Sequence, residues 1–209
     1  MKRSLPRSVL SAIILLVLVI GGAWIYARAR SPFAYYGTPY DPVKAAPAIS
    51  ALHMQRGKVV PVNLQQLKGS AVLLYFGYTH CPNICPLTMS YLNRVYRGLP
   101  RSDRSRVKVV MVSVDPKRDT PKVIQRYVGF FNPHFLGWHV STSQLGAIAK
   151  GYGVSYQKVN AKSDTVYFIN HTSAVYLVDP LGQLTVLYDY TQLANAAKVD
   201  RDLKHVLTL

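Results

Sequence analysis

Glutamate is absent from this chain of 209 residues. Its only acidic side chains are nine aspartates, against 25 lysines and arginines, for a formal net charge of +16. Few carboxylates mean few ion pairs to lose as pH falls, and acid denaturation is largely the protonation of such groups. The composition therefore predicts a domain that tolerates an acidic exterior. Cysteine is scarce as well. Cys81 and Cys85 are the only two, which excludes a disulfide framework and points to a catalytic or metal-binding pair. No helix-turn-helix, zinc-finger or ribonucleoprotein-type aromatic motif accompanies the basic charge, so no nucleic-acid partner is expected. A phospholipid surface or an acidic protein partner is the better match. Internal repeats and a second globular domain are lacking too.

The rest of the chain is organised around Ala71–Met89, which holds both cysteines. Residues 71–76 read as a buried apolar strand, followed by a glycine turn and a helix opening near Cys85–Pro86. A helix N-terminus presents unpaired N–H groups and the positive end of the dipole, which favour a thiolate. Cysteines so placed can have pKa values lowered from about 8.5 to roughly 3.5–7.5. If the loop is already helical, Cys81 and Cys85 share a face and can pair as a disulfide or grip one soft metal ion. Two small buried hydrophobes are the plainer alternative. Three residues separate the sulfurs, one more than in Cys-x-x-Cys, which leaves room for a metal. Two thiolates suit Cu(I), an added imidazole extends the site to Cu(II), and zinc accepts the same donors. Of six histidines, His80 points away from its neighbour Cys81, and His53, His134, His139 and His205 have no tie to the loop. His171 differs, because it sits between apolar strand segments in the loop entering a C-terminal hairpin.

In chain order, residues 1–8 carry Lys2, Arg3 and Arg7 and are expected in the cytoplasm. Residues 9–26 are uncharged and long enough, at about 27 Å, for a transmembrane anchor, although Ala27–Arg28–Ala29 resembles a signal-peptide cleavage site. The flanking cations prefer an N-in, C-out topology. Residues 27–46, with Pro32, Pro39 and Pro42, read as a stiff tether. The domain then spans 47–209 and opens with a hairpin, Ile49–Met54 and Lys58–Val62. Next come a helix over 87–99, a second apolar strand over 107–114, and a helix from Pro121, capped by Thr120, to about Phe131. A short helix over 143–150 precedes strands over 156–159 and 165–169. A hairpin, 174–178 and 183–188, and a final amphipathic helix over 192–207 close the chain. This order is that of an α/β thioredoxin-like sandwich with an extra N-terminal β-hairpin, preceded by one transmembrane helix.

Three segments carry a resemblance: Tyr78–Thr79–His80–Cys81–Pro82–Asn83–Ile84–Cys85–Pro86, then Val114–Asp115–Pro116–Lys117–Arg118–Asp119–Thr120–Pro121, then Asn170–His171–Thr172 ahead of Tyr176–Leu177–Val178–Asp179–Pro180. Together they resemble the Sco/SenC family of membrane-anchored, thioredoxin-like copper proteins that help assemble the binuclear copper site of cytochrome c oxidase. The resemblance implies Cys81, Cys85 and His171 as ligands to Cu(I) or Cu(II), with Asp115 near the site. Asn83 departs from the aspartate of many members, which removes a negative charge beside the sulfurs. The implied partners are the copper-site subunit of the oxidase and other periplasmic copper chaperones. The implied location is a bacterial inner membrane, with the C-terminal domain in the periplasm. If the pair acts as an enzyme instead, a thiol–disulfide oxidoreductase, Cys81 is the attacking thiolate and Cys85 the resolving one. A peroxidase lacks the threonine–cysteine–arginine arrangement it needs.

Overall fold

The computed structural model describes residues 7–29 and 33–209, and these belong to two compact units, Met1–Ala34 and Tyr35–Leu209. The first is a 23-residue helix, α1 (Arg7–Ala29), whose apolar side chains, Leu15–Ile20 among them, are exposed. Among the described residues no helix is long and apolar enough to cross a membrane, so the span expected over 9–26 is not found there. Residues 1–6 and 30–32, from the expected cytoplasmic segment and tether, lie outside the described residues.

The second unit is one sheet in the order β1-β10-β9-β4-β5-β6-β2-β3 with helices on both faces. Its centre is β4 (Ala71–Gly77), every residue of which is buried. The hydrophobic run needs no alternation because both faces are covered. Burial of one such Leu or Phe side chain contributes about 1.5–3 kcal/mol. β4 pairs in parallel with β5 (Val107–Ser113), Gly77 lying opposite Ser113, and antiparallel with β9 (Val175–Val178). Side chains alternate across β4: Tyr75 points to α2 (Ile84–Gly98), and Phe76 stacks on Tyr152 of α5 (Thr142–Tyr152). With α2 lie α6 (Ala196–Val206) and α4 (Pro121–Phe131). Thr120 caps α4 by accepting from the Val123 N–H, with Pro121 as its first residue, as its sequence predicts.

The expected N-terminal hairpin is β2 (Ser50–Gln55) and β3 (Lys58–Asn63), turning through Arg56 and Gly57, both at positive φ. That is the twist a two-residue hairpin turn requires. β2 extends the sheet beyond β6 (Leu136–His139). The tether over 27–46 needs correction. Residues 38–45 form β1 (Thr38–Ala45), antiparallel to β10 (Gln183–Tyr188) at the opposite edge. Its prolines are compatible with a strand because an edge strand leaves N–H groups on one side without a ladder partner. The unit therefore begins near Tyr35 rather than 47. There Asp202 of α6, fully buried, accepts from the N–H groups of Tyr36 and Gly37 and from the Tyr188 hydroxyl. A four-residue helix, α3 (Arg101–Arg104), links α2 to β5, while β7 (Tyr156–Val159) and β8 (Phe168–His171) pair only with each other.

Candidate metal centre

β4 and β5 are parallel, so both carboxyl ends deliver their loops to one edge of the sheet. β4 supplies Tyr78–Asn83 and β5 supplies Val114–Thr120. Asp119, fully buried, joins the two. It accepts from the Thr79 N–H (3.0 Å), the Thr79 hydroxyl (2.6 Å) and the Ser113 hydroxyl (2.7 Å). Burial raises its pKa, against the pull of these donors. The exposed His80 lies above it at 3.8 Å, turned away from the sulfurs.

The helix opens at Ile84, so Cys85 is in its first turn and Cys81 lies outside it. Asn83, at the N-cap, makes no side-chain cap bond. The Cys85 N–H donates to Cys81 Sγ instead (3.4 Å), so a sulfur takes one of the helix's orphan donors. Cys85 is buried and Cys81 half-buried, both as free thiols. Cys85 Sγ receives the Tyr75 hydroxyl (3.3 Å) and faces His171 Nε2 at 3.4 Å. His171 Nδ1 is 3.0 Å from the Thr172 carbonyl. A carbonyl only accepts, so Nδ1 carries the proton and Nε2 presents its lone pair to the sulfurs. The rings of Tyr75 and Tyr78 stand edge-on to the imidazole.

Cys81, Cys85 and His171 each offer one ligand atom, and the three atoms lie within 4.8 Å of one another. The sequence-predicted set is thus brought together. Cys81 and His171 line a cleft of about 420 Å³ together with Asn83, Phe168 and Asn170. The sulfurs are not equivalent. The Cys81 pKa falls to about 4, chiefly through the hydrogen bond from the Cys85 thiol, against burial and helped by the N–H groups of Cys85 and Asn83. Burial, reinforced by the neighbouring Cys81 charge, drives the Cys85 pKa far up. A reactive thiolate at the rim therefore lies beside a protonated thiol below it.

Asp115, predicted near the site, touches none of the three donors. It accepts from the Tyr167 hydroxyl (2.7 Å) and pairs with Arg118. The Arg118 guanidinium donates to the Thr165 and Tyr167 carbonyls and lies 3.6 Å over the Tyr167 ring. Tyr78 accepts from the Ile169 N–H (3.1 Å). These contacts fasten the β7–β8 hairpin to the body and so place His171, which ends β8 rather than lying in a loop. Sequence reasoning passed over Tyr75, Tyr78 and Asp119. Asp119 had one signal, its position just before the capping Thr120, within a segment already singled out.

Residues 51–208 match the protein-family model described as SCO1/SenC. The apo Sco1 protein from Thermus thermophilus is similar in structure, with a TM-score of 0.74 and 36% identity, covering 83% of this chain and 97% of that one. Bradyrhizobium japonicum ScoI with copper bound gives 0.65 and 32%, covering 83% and 99%. The mitochondrial SCO2 homologue of Bos taurus is 34% identical over 188 residues, 86% of this chain and 67% of its own. The mixed α/β, thioredoxin-like sandwich thus has counterparts in one family. The chain belongs to the SCO1/SenC family.

Proposed function

We propose that this protein is a copper metallochaperone that loads the binuclear copper site of cytochrome c oxidase, with Cys81, Cys85 and His171 as its ligands. The observation that carries the reading is the convergence of two sulfurs and a correctly tautomerised imidazole within 4.8 Å. The Bradyrhizobium relative, similar across 83% of the chain, holds copper. The donor set fits the ion: thiolates hold Cu(I) and the imidazole adds the nitrogen that Cu(II) prefers. Cargo leaves by ligand exchange into the cysteines and histidines of the oxidase subunit, and other periplasmic copper chaperones supply it. Helix α1 is the anchor in this reading. Its backbone is about 34 Å long and its sequence carries no charge from 9 to 26, which supports an anchor, and the cations before it favour the domain on the periplasmic side of a bacterial inner membrane. The protein reduced and loaded with Cu(I) or Cu(II) should retain about one copper per chain. His171→Ala should lose the Cu(II)–thiolate absorption and weaken Cu(I) retention while Cys81 and Cys85 still form a disulfide. Full oxidase assembly by His171→Ala, with Cys81→Ser and Cys85→Ser both inactive, would overturn the reading.

A specific observation favours a second reading, thiol–disulfide exchange: the inequality of the two thiols. Cys81 thiolate attacks a disulfide of the target and releases one target thiolate. Cys85 then gives up its proton and attacks Cys81 Sγ, releasing the second. The pair ends as a disulfide and the target as a dithiol, two electrons having passed.

A further inference from the structure

At the end of the domain opposite the cysteine loop, the amino ends of β5 and β6 and the carboxyl ends of α2 and α4 enclose a cavity of about 800 Å³. Tyr96, Val107, Phe131 and Leu136 form its apolar wall, and Arg97, Arg104, Lys108 and His134 also line it. The stretch 94–108 carries Arg94, Arg97, Arg101, Arg104, Arg106 and Lys108 against the single carboxylate Asp103. Among the described residues, no ion pair is made by any of these six cations. Arg104 is pinned by donating to the Leu99 and Arg97 carbonyls, and Lys108 to that of Ser105. The guanidinium and ammonium are thus held at the rim instead of neutralised. At the carboxyl end of α4, on the same end of the domain, Phe130 is 86% exposed. An apolar ring that bare, at the same end as unpaired cations, is the combination that interfacial membrane-binding surfaces use.

A second observation concerns where the chain enters the domain. Tyr35, its first residue, stacks edge-on against His205 at the carboxyl end of α6. Two residues further on, the Leu207 carbonyl accepts from the Arg106 guanidinium. The entry point therefore lies beside the last turns of α6, with Tyr36 held on Asp202 one turn earlier.

We propose that this basic end rests on an anionic phospholipid surface, with Phe130 in the headgroup layer and Arg97, Arg101 and Lys108 on the phosphates, so that the cysteine loop at the opposite end faces away from the membrane. Charge complementarity selects the occupant. Bilayers rich in anionic lipid attract basic segments close to their surface, and the attraction is screened by salt. The proposal rests on the reading of α1 as the anchor.

The test uses the full chain in nanodiscs of phosphatidylcholine alone or with phosphatidylglycerol at 7:3, read by amide hydrogen exchange. The anionic discs should slow exchange over 101–108 and 128–134 by about threefold or more, while the cysteine loop is unchanged. The effect should vanish in 0.5 M NaCl, in Arg97→Ala/Arg101→Ala/Lys108→Ala, and in Phe130→Ser, whose exposed site makes a folding defect unexpected. Equal exchange in the two disc types would overturn the proposal. So would equal protection by soluble polyglutamate with neutral discs, which would assign the surface to an acidic protein. Retention in the disc at 0.5 M NaCl tests the anchor separately: if the chain elutes disc-free there, the anchor reading fails, whatever the lipid-dependent protection.

Discussion

Cys81 and Cys85 stand four residues apart in opposite surroundings. One lies in an open loop at the rim of a cleft, accepts from a helix N–H and is held as a thiolate. The other is sealed in the first turn of α2, between Tyr75 and His171, and is held as a thiol. A symmetric pair would make an indifferent chelate. This pair divides the labour, with a sulfur that meets an incoming ion or disulfide and another that closes on it once its proton has left. Gly77 sets the depth of the second. A Cβ there would stand 2.6 Å from the Tyr75 ring and 3.1 Å from Cys85 Sγ, so a larger residue would push the sulfur from its seat.

The sharpest break of this inequality is chemical labelling of the reduced protein at about pH 6. A thiolate is the nucleophile, so iodoacetamide should modify Cys81 at least about 100-fold faster than Cys85. Comparable rates in peptide mapping would mean the two sulfurs are alike. A smaller effect is expected where the imidazole is merely misplaced. Asp115→Asn or Arg118→Ala, loosening the β7–β8 hairpin, should weaken Cu(II) binding by about 10-fold, in the range of losses behind a metal's direct ligands. Alkylation of Cys81 should stay fast. A competition titration with a chelator reads the first, and an unchanged affinity would detach Asp115 from the site.

Smaller again is the cost of cutting the staple under both loops. Asp119→Ala strands the buried hydroxyl of Ser113 and should lower stability by about 2 kcal/mol, measured by urea unfolding. The smallest effect is a slope. Cys81 ionises more readily folded than unfolded, so its contribution is full above the unfolded pKa and is lost as pH falls toward about 4. The gap in urea midpoint between the reduced protein and Cys81→Ser should therefore widen in favour of the reduced protein from pH 4 to pH 8. Asp119 works the other way. Its raised pKa contributes stability at acid pH that is lost as pH rises. A gap that does not change with pH would show that the folded protein does not hold the thiolate.

How far the sequence reaches follows the same division. The strands β4 and β5 are legible because runs buried on both faces are uniformly apolar, and β9–β10 because the Asp179–Gly182 turn has its own chemistry, Gly182 at φ +85. The strand β1 is not, since prolines and tyrosines on an exposed edge look like a linker until β10 is known to lie beside them. His171 is one histidine among six, and only the resemblance and then the coordinates single it out. The inequality of Cys85 and Cys81 is invisible at any spacing, because it comes from how deeply the fold buries Cys85 against the sheet.

The hairpin that carries His171 has one more consequence. β7 and β8 share no ladder with the eight-stranded sheet; they are tied down by hydrogen bonds of Arg118, Tyr167 and Tyr78 and by the buried side chain of Ile169. Under the copper reading, the nitrogen ligand sits on a clasp and the sulfurs on the frame. Opening the clasp costs these hydrogen bonds and the burial of Tyr167 and Ile169 but breaks no ladder of the eight-stranded sheet, so the ion can shed its third ligand before a recipient's first one arrives. The rate of handover would then be the swing rate of a two-stranded flap, adjustable through Arg118 without altering how tightly the closed form holds its load.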